Sequence, residues 1–506
     1  MLKKMMALLL CAMMLVSLVA CGDKPDDNTP DTPAGPKEDV IVGMAMEFVT
    51  TDPQASNSVA PLMLFKMTHE TLTELDASGN VIPGMATYEQ PDALTYIFTI
   101  PDNVTFTNGD PCTTEDIAYT FERAKESSYT SSKLTTLESV EILSPTQIQF
   151  KLNKVNQDFL TNLAYKTFSI LSKKACEADP AKGFEIGTGR YYVTQWVPGE
   201  VTAVARYDGY RGEKGVAKTV TFRHIAETSA RIIALQNNEI DIALGLESLD
   251  ASTIEADSNL ELVKFEDVAI KYLALNMSAA PFDNQKVRQA IAHAVNKDNV
   301  ILGALNGEGS VQTAVMSKPL FGHNSNLEQY AYDPALAKQM LADAGYPNGL
   351  EITLSCYKGA PYETIAAVLQ NDMAAAGITV KINPVESAAL KAMMKAGEHE
   401  VAIYGWADAS SPDYTLRTLL YSTSGSNRSL IKDSALDKMI DDALSETDVA
   451  KREQMYKDIQ VYVQEVCPYV MLYTSYVYSG VSKGTTGVVW DPTNMHDFCY
   501  VSVPAE

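Results

Sequence analysis

The sequence predicts a multidomain α/β protein with a parallel sheet in its C-terminal half. Two observations predict it. Of the 506 residues, about 467 follow a polar N-terminal stretch, more than a single hydrophobic core organises. Between Glu351 and Asp413 the apolar period alternates between strand and helix in the order βαβαβ, which implies right-handed crossovers and parallel strands.

The elements follow in chain order. Val40 to Val42 reads as an opening strand, and Pro61 to Thr71 as a helix through Leu62, Phe65 and Leu72. "ALTYIFTI" alternates as a strand. "DNVTFTNGDPCTTEDIAYTFERAKE" reads as strand, turn and helix, with Thr114 as N-cap and Ile117, Phe121 and Ala124 on one face. "RYYVTQWVPGEVTAVARYDGY" is a hairpin turning at Pro198-Gly199-Glu200. "TSARIIALQNNEIDIAL" is a helix capped by Thr228 or Ser229, then a strand through Ile240, Ile242 and Leu244. Val287, Ala290, Ile291, Ala294 and Val295 form one helical stripe. "YDPALAKQMLADAGY" has Asp333 as cap, Pro334 at the first helical position and Gly345 as stop. In the βαβαβ stretch the strands are "EITLSCY", "ITVKI" and "EVAIYGW". The helices end at Gly377 and Gly397.

The N-terminus reads as a targeting segment. Lys3 and Lys4 precede an apolar run to Ala20, which is a secretory signal peptide over residues 1–20. Leu18-Val19-Ala20-Cys21 resembles the lipobox of bacterial lipoproteins. That resemblance implies cleavage before Cys21 and acylation of its thiol. Residues 21–39, rich in Asp, Pro and Thr, form a solvated tether with too little apolar surface to fold.

Composition narrows the function classes. The formal charge of −24 becomes −26 once Lys3 and Lys4 leave with the signal, a field that repels nucleic acid and anionic lipid. Cys112, Cys176, Cys356, Cys467 and Cys499 are odd in number, widely spaced and without a CxxC pair, so buried thiols are expected and no metal knuckle is indicated. The six histidines are scattered. His69-Glu70 and His399-Glu400 do not complete HExxH. GxSxG and GxxxxGK[ST] are absent, and Ser429 to Lys432 fits SxxK without a following KTG. No catalytic residue, metal site or cofactor is therefore assigned, and the chain is not read as an enzyme.

Several stretches together resemble a known family: "GTGRYYVTQW", "YLALNMSAAPFDNQKVRQAIAHAVNKD", "YDPALAKQMLADAGY" and "MKAGEHEVAIYGWADASSPDY". They are similar to the oligopeptide-, dipeptide- and nickel-binding proteins of ABC importers, the solute-binding proteins of the family 5 type. The resemblance implies a two-lobed, periplasmic-binding-protein-like α/β fold of the large three-domain type II kind, closing at a hinge. Mapped here, domain I is discontinuous over 40–72, 187–265 and 479–506. Domain II is inserted at 73–186, and the second lobe, domain III, covers 266–478. The implied function is a lipid-anchored, monomeric receptor on the outer face of the cell membrane, delivering peptides to permease subunits. A sensor or adhesin of the same fold, or a nickel-chelate, sugar or opine receptor, are the alternatives.

The ligand is expected where parallel strands end, beyond their carboxyl termini. Trp406, Asp408 and Asp413 leave such an end. In peptide-binding members an aspartate after the GW strand, four residues before a proline, pairs with the peptide α-ammonium. Asp408 stands four before Pro412, although one residue closer to the tryptophan than the family pattern. Dipeptide binders carry an arginine for the carboxylate after the strand that is here "EITLSCY". This chain has Tyr357 and Lys358 there, and lysine supplies charge without the bidentate fork. Phe48, after the opening strand, completes the ligand-binding candidates. Arg190 replaces the proline of the family's GTGP and is read as a surface residue. Asp413 is read as capping the turn after Pro412.

Overall fold

The computed structural model describes residues 35–76, 79–407 and 411–505. Cys21 and Asp408, the lipidation and ammonium-binding candidates, lie outside the described residues.

The strands are β1 (Asp39–Met44), β2 (Thr73–Leu75), β3 (Val81–Pro83), β4 (Thr87–Asp92), β5 (Thr95–Thr99), β6 (Leu137–Ile142), β7 (Gln147–Leu152), β8 (Tyr191–Val197), β9 (Val201–Arg206), β10 (Thr219–His224), β11 (Ile242–Leu246), β12 (Leu260–Leu275), β13 (Gly309–Val311), β14 (Leu350–Tyr357), β15 (Ile378–Val385), β16 (Val401–Trp406) and β17 (Tyr469–Ser482). One eleven-stranded sheet runs β15-β14-β16-β12-β17-β11-β1-β10-β9-β8, with β13 paired to β17 off that path. Two smaller sheets, β2-β3 and β4-β5-β7-β6, stand apart from it.

The large sheet has two parallel centres. β1 runs parallel to β10 and β11, and β14 runs parallel to β15 and β16. The long antiparallel strands β12 and β17 join the two centres. In β12, residues 260–266 pair beside β11's neighbour strand, while 270–275 pair with β16. The register between β12 and β17 shifts between Glu266 and Ile270, a bulge where the sheet passes from one half to the other.

Each half has its own core. Val42, Phe48, Leu62, Phe65, Phe222 and Phe498 pack around β1 and the helix Val59–Thr68. Aromatic rings fill the β4-β5-β7-β6 layer, with Phe121 and Phe168 stacked at 5.8 Å. Two clusters cover opposite faces of β14 and β16: Leu354, Leu369 and Ile403 on one, Tyr272, Leu416 and Tyr456 on the other.

The βαβαβ expectation holds, and Gly377 and Gly397 adopt φ of +78° and +74° as helix stops. Asp333 caps its helix by accepting from the Leu336 N–H at 2.9 Å. The five cysteines of the folded body are buried free thiols.

Local chemistry overrode the pattern elsewhere. Thr113, not Thr114, is the N-cap, because Asp116 reaches back to the Thr113 N–H and completes a capping box. The strand expected before it is reduced to a single bridge, Thr105 to Pro111. The helix Thr228–Gln236 starts from Glu227 without a side-chain cap. The stripe from Val287 is buried throughout, but its helix ends at His293. Asn296 then starts a second helix by accepting from the Asn299 N–H. Leu72 lies beyond the helix that contains Leu62 and Phe65, yet is buried.

Candidate functional site

The carboxyl ends of β14, β15 and β16 lie side by side, because the three strands are parallel and in register. The strand order brings Tyr357, Val385 and Trp406 to that end. Alternation along each strand then decides which face a side chain joins. Tyr357, Tyr404 and Trp406 fall on the face of the cluster containing Tyr272.

Tyr357 packs edge-on against Tyr362 at 5.0 Å and lies 5.8 Å from Tyr404, and burial pushes its phenol well above the ordinary tyrosine range. Trp406 packs on Tyr414 at 6.0 Å. Its Nε1 is buried and has no acceptor among the described residues, an uncommon state for an indole donor. Lys358 stands at the rim with a mostly exposed side chain, 3.2 Å from Glu386. A pair so exposed contributes little to stability.

The structure thus groups Trp406, Tyr357 and Lys358 at one strand end. Phe48 belongs to the other half. Its ring packs on Phe222 at 5.1 Å, and its carbonyl accepts from Trp196 Nε1 at 2.7 Å. Beside it, Met44, Met46, Glu47, Pro198 and His224 line a shallow recess where β1 and β10 end.

Asp413 does not cap the turn. Ser411 is the N-cap of the helix Pro412–Leu420, accepting from the Tyr414 N–H at 3.2 Å. Asp413, one position into the helix, holds Arg417 through two bonds of 3.0 and 2.8 Å. Arg190 packs between Tyr210 and Tyr500 and donates to the Glu213 carbonyl.

Three charged residues near this strand end were not singled out from the sequence. Lys271 lies opposite Gly405, one pair along from Ile270 opposite Trp406. Its signal was a single charge inside the apolar run from Val268 to Leu275. Asp267, in the β12 bulge, accepts from the Ala269 N–H at 3.1 Å, and burial pushes its carboxyl up against the pull of Lys271. Asp158 precedes the short helix Phe159–Leu163 and meets the other half of the molecule there. It accepts from the Asp413 N–H at 3.1 Å and is held at about 6, by burial first and then by the Asp413 charge. No local sequence pattern pairs residues 255 positions apart.

Around Asp158 the same contact continues. The Gln157 N–H donates to the Leu444 carbonyl at 3.1 Å, Arg452 donates to the Gln157 side chain at 3.0 Å, and Lys133 Nζ lies 3.8 Å from the Tyr414 ring centre. The segment carrying the four-stranded sheet is thereby fastened to the helices that follow β16.

Comparison with known proteins bears on the site. The model of the bacterial extracellular solute-binding proteins, family 5 (middle region), matches residues 80–428. The dipeptide-binding protein of Escherichia coli (strain K12) is 29% identical over 461 residues, which cover 84% of this chain and 86% of that protein. The glutathione-binding protein of Salmonella paratyphi A is 26% identical over 476 residues, 90% of this chain and 92% of that one. Among solved structures, the ABC transporter-associated periplasmic binding protein of Helicobacter pylori in complex with the peptide STSA is 26% identical. It superposes with a TM-score of 0.77, covering 93% of this chain and 99% of that chain.

Proposed function

This chain belongs to the bacterial extracellular solute-binding proteins of family 5, and from that premise we propose that it captures short peptides outside the cytoplasm and delivers them to an ABC permease. The similarity to a dipeptide-binding protein along more than four-fifths of both chains carries the peptide reading. The site agrees with it. Open parallel sheets take their ligands beyond the carboxyl ends of the strands, where Trp406 and Tyr357 stand.

In this reading Cys21 is acylated and the residues after it tether the receptor to the membrane; the tether is shorter than the 21–39 expected from the sequence, because Pro36 bridges Pro504, Lys37 pairs with Asp241 and Asp39 opens β1. Domain I (40–72, 187–265, 479–506) and the inserted domain II (73–186) form one lobe, and domain III (266–478) the other. The lobes close about β12 and β17 near Glu266 to Ile270. Asp408 pairs with the peptide α-ammonium, since a buried ammonium is costly without an opposite charge. Trp406 and Tyr357 flank the peptide, Lys358 sits at the entrance, and Phe48 supports the opposite wall through its backbone.

Native mass spectrometry of the purified protein should show a co-purified peptide, and calorimetry with that peptide should give saturable binding of one per chain. Recovery of a sugar, a metal chelate or an opine instead, with no binding from a di- to tetrapeptide library, would sink the peptide reading.

A further inference from the structure

Asp158 completes the cap of a helix that belongs to the other half of the molecule. The first N–H groups of the helix Pro412–Leu420 have no acceptor within the helix, as at any helix start. Pro412 carries no N–H, and the Tyr414 N–H donates to Ser411 Oγ at 3.2 Å. The Asp413 N–H instead donates across the contact to Asp158, at 3.1 Å. Tyr414, the next residue, packs on Trp406 at 6.0 Å, so the contact reaches the strand end of the candidate site.

The contact buries the Asp158 carboxyl, which is 7% exposed, without bringing it an ion-pair partner among the described residues. The helix Pro412–Leu420 turns Asp413 and Arg417 toward it, and Arg417 is taken up by Asp413 and by Asp441 of the helix Ser434–Ser445. The helix Val449–Val466 contributes Arg452 and Tyr456. Arg452 donates to the Gln157 side chain and the Glu446 carbonyl, and its attraction for Asp158 is weaker than the opposing effects of burial and Asp413. Burial raises the Tyr456 phenol well above the ordinary range, so it stays neutral. Lys133, on the same side as Asp158, lies over the rings of Tyr165 and Tyr414. An ionised Asp158 therefore gives up water on docking and meets a like charge. A neutral carboxyl can still accept the same N–H, with a smaller desolvation cost.

We propose that this contact is an acid-strengthened latch between the two halves: protonation of Asp158 favours the docked arrangement, so the protein closes more readily in acidic surroundings. The inference rests on the lobe closure proposed above and is independent of what the ligand is. A proton is taken up as the contact forms and released as it opens. The docked carboxyl titrates at about 6 and a solvated one at 3.8. The latch therefore gains strength as pH falls from about 6 toward 4 and loses it as pH rises through 6. A receptor held outside the cytoplasm meets such changes directly.

The test follows the full chain, without added ligand, at about pH 4.5 and about pH 7.5 by hydrogen exchange and by small-angle scattering. The Asp413 amide is the local probe, because Asp158 is its acceptor. Corrected for the intrinsic rate, its protection in the wild type should be roughly 10- to 30-fold higher at the lower pH, with a smaller radius of gyration. Asp158→Asn keeps an acceptor without the charge and should hold the protected, compact form at both pH values. Asp158→Ala removes the acceptor and should leave the amide unprotected at both. Thermal melts report whether each variant is folded, and the wild-type comparison needs no variant at all. Equal protection of the wild type at both pH values overturns the latch. So does a pH-dependent radius that survives in folded Asp158→Asn. Protection that changes while the radius stays constant also overturns it, since the contact would then open without moving the two halves. No arm uses a peptide, so a failed latch leaves peptide capture standing, and failed peptide binding leaves the latch standing.

Discussion

At the scale of single residues, charge placement decides what the site can do. Asp408 and Asp413 stand five positions apart, and the sequence reads them differently, one for the ligand and one for the turn; the structure commits Asp413 to Arg417 instead. Asp408→Asn keeps the shape and removes the charge, so it should weaken binding of a free-amine peptide by roughly two to three powers of ten. Asp413→Asn should leave that affinity nearly unchanged. Equal effects in calorimetry would remove Asp408 from its role. Asp158 yields a pH-dependent expectation. Its carboxyl is raised from 3.8 to about 6 by burial and by Asp413, so the folded state holds a proton that the unfolded chain releases. Stability from this group is then present at low pH and lost as pH rises from about 4 to 6. Asp158→Asn stays neutral throughout. Its melting temperature relative to wild type should therefore rise across that window and level off above it. A difference independent of pH would contradict the assignment.

At the scale of elements, local signals and tertiary packing divide the work. The helix Pro334–Asp343 has its start and stop written locally: Asp333 as cap, Pro334 at the first position, Gly345 with φ of +100° beyond the end. Asp333→Ala should cost about 1 kcal/mol in chemical denaturation, the value of an N-cap. The helix Tyr362–Ala374 depends on packing instead. Ile365, Leu369 and Met373 are fully buried against β14 and β15. Leu369→Ala should cost about 2–5 kcal/mol, because the cavity adds to the lost transfer energy. A loss below 1 kcal/mol would mean that this layer collapses around the gap. The shift of the first cap has a local cause. Thr113 and Thr114 are equally good by residue type, and only the reach of Asp116 selects between them.

At the scale of the whole molecule, the two halves meet through β12 and β17 and again through the contact around Asp158. On the proposed reading of a hinged receptor, β12 and β17 would bend at the register shift and the Asp158 contact would break on opening. Small-angle scattering should show a smaller radius of gyration at ligand saturation than without ligand. An unchanged radius at demonstrated saturation would rule out closure from an open form. Anchoring is tested separately. Cys21→Ser should release the protein from the membrane fraction, since the polar stretch between Cys21 and the folded body carries little apolar surface to hold it. Full membrane retention of that variant would refute lipidation as the anchor.

The sequence by itself determined the α/β class, the βαβαβ unit and the strand end at Trp406, because these rest on periodicity and on glycine stops, which act over a few residues. It also carried the family resemblance, through segments spread along most of the chain. Only the tertiary structure decided which charges are paired and where the others are held. Lys358 and Lys271 are the same residue type, one exposed beside Glu386 and the other laid over Gly405 in a central strand. Asp158 meets a helix 255 positions away. Phe48 turns its ring into a core. Strand order and register bring such residues together or keep them apart, and a local pattern cannot contain them, because burial and pairing depend on what the rest of the chain places opposite.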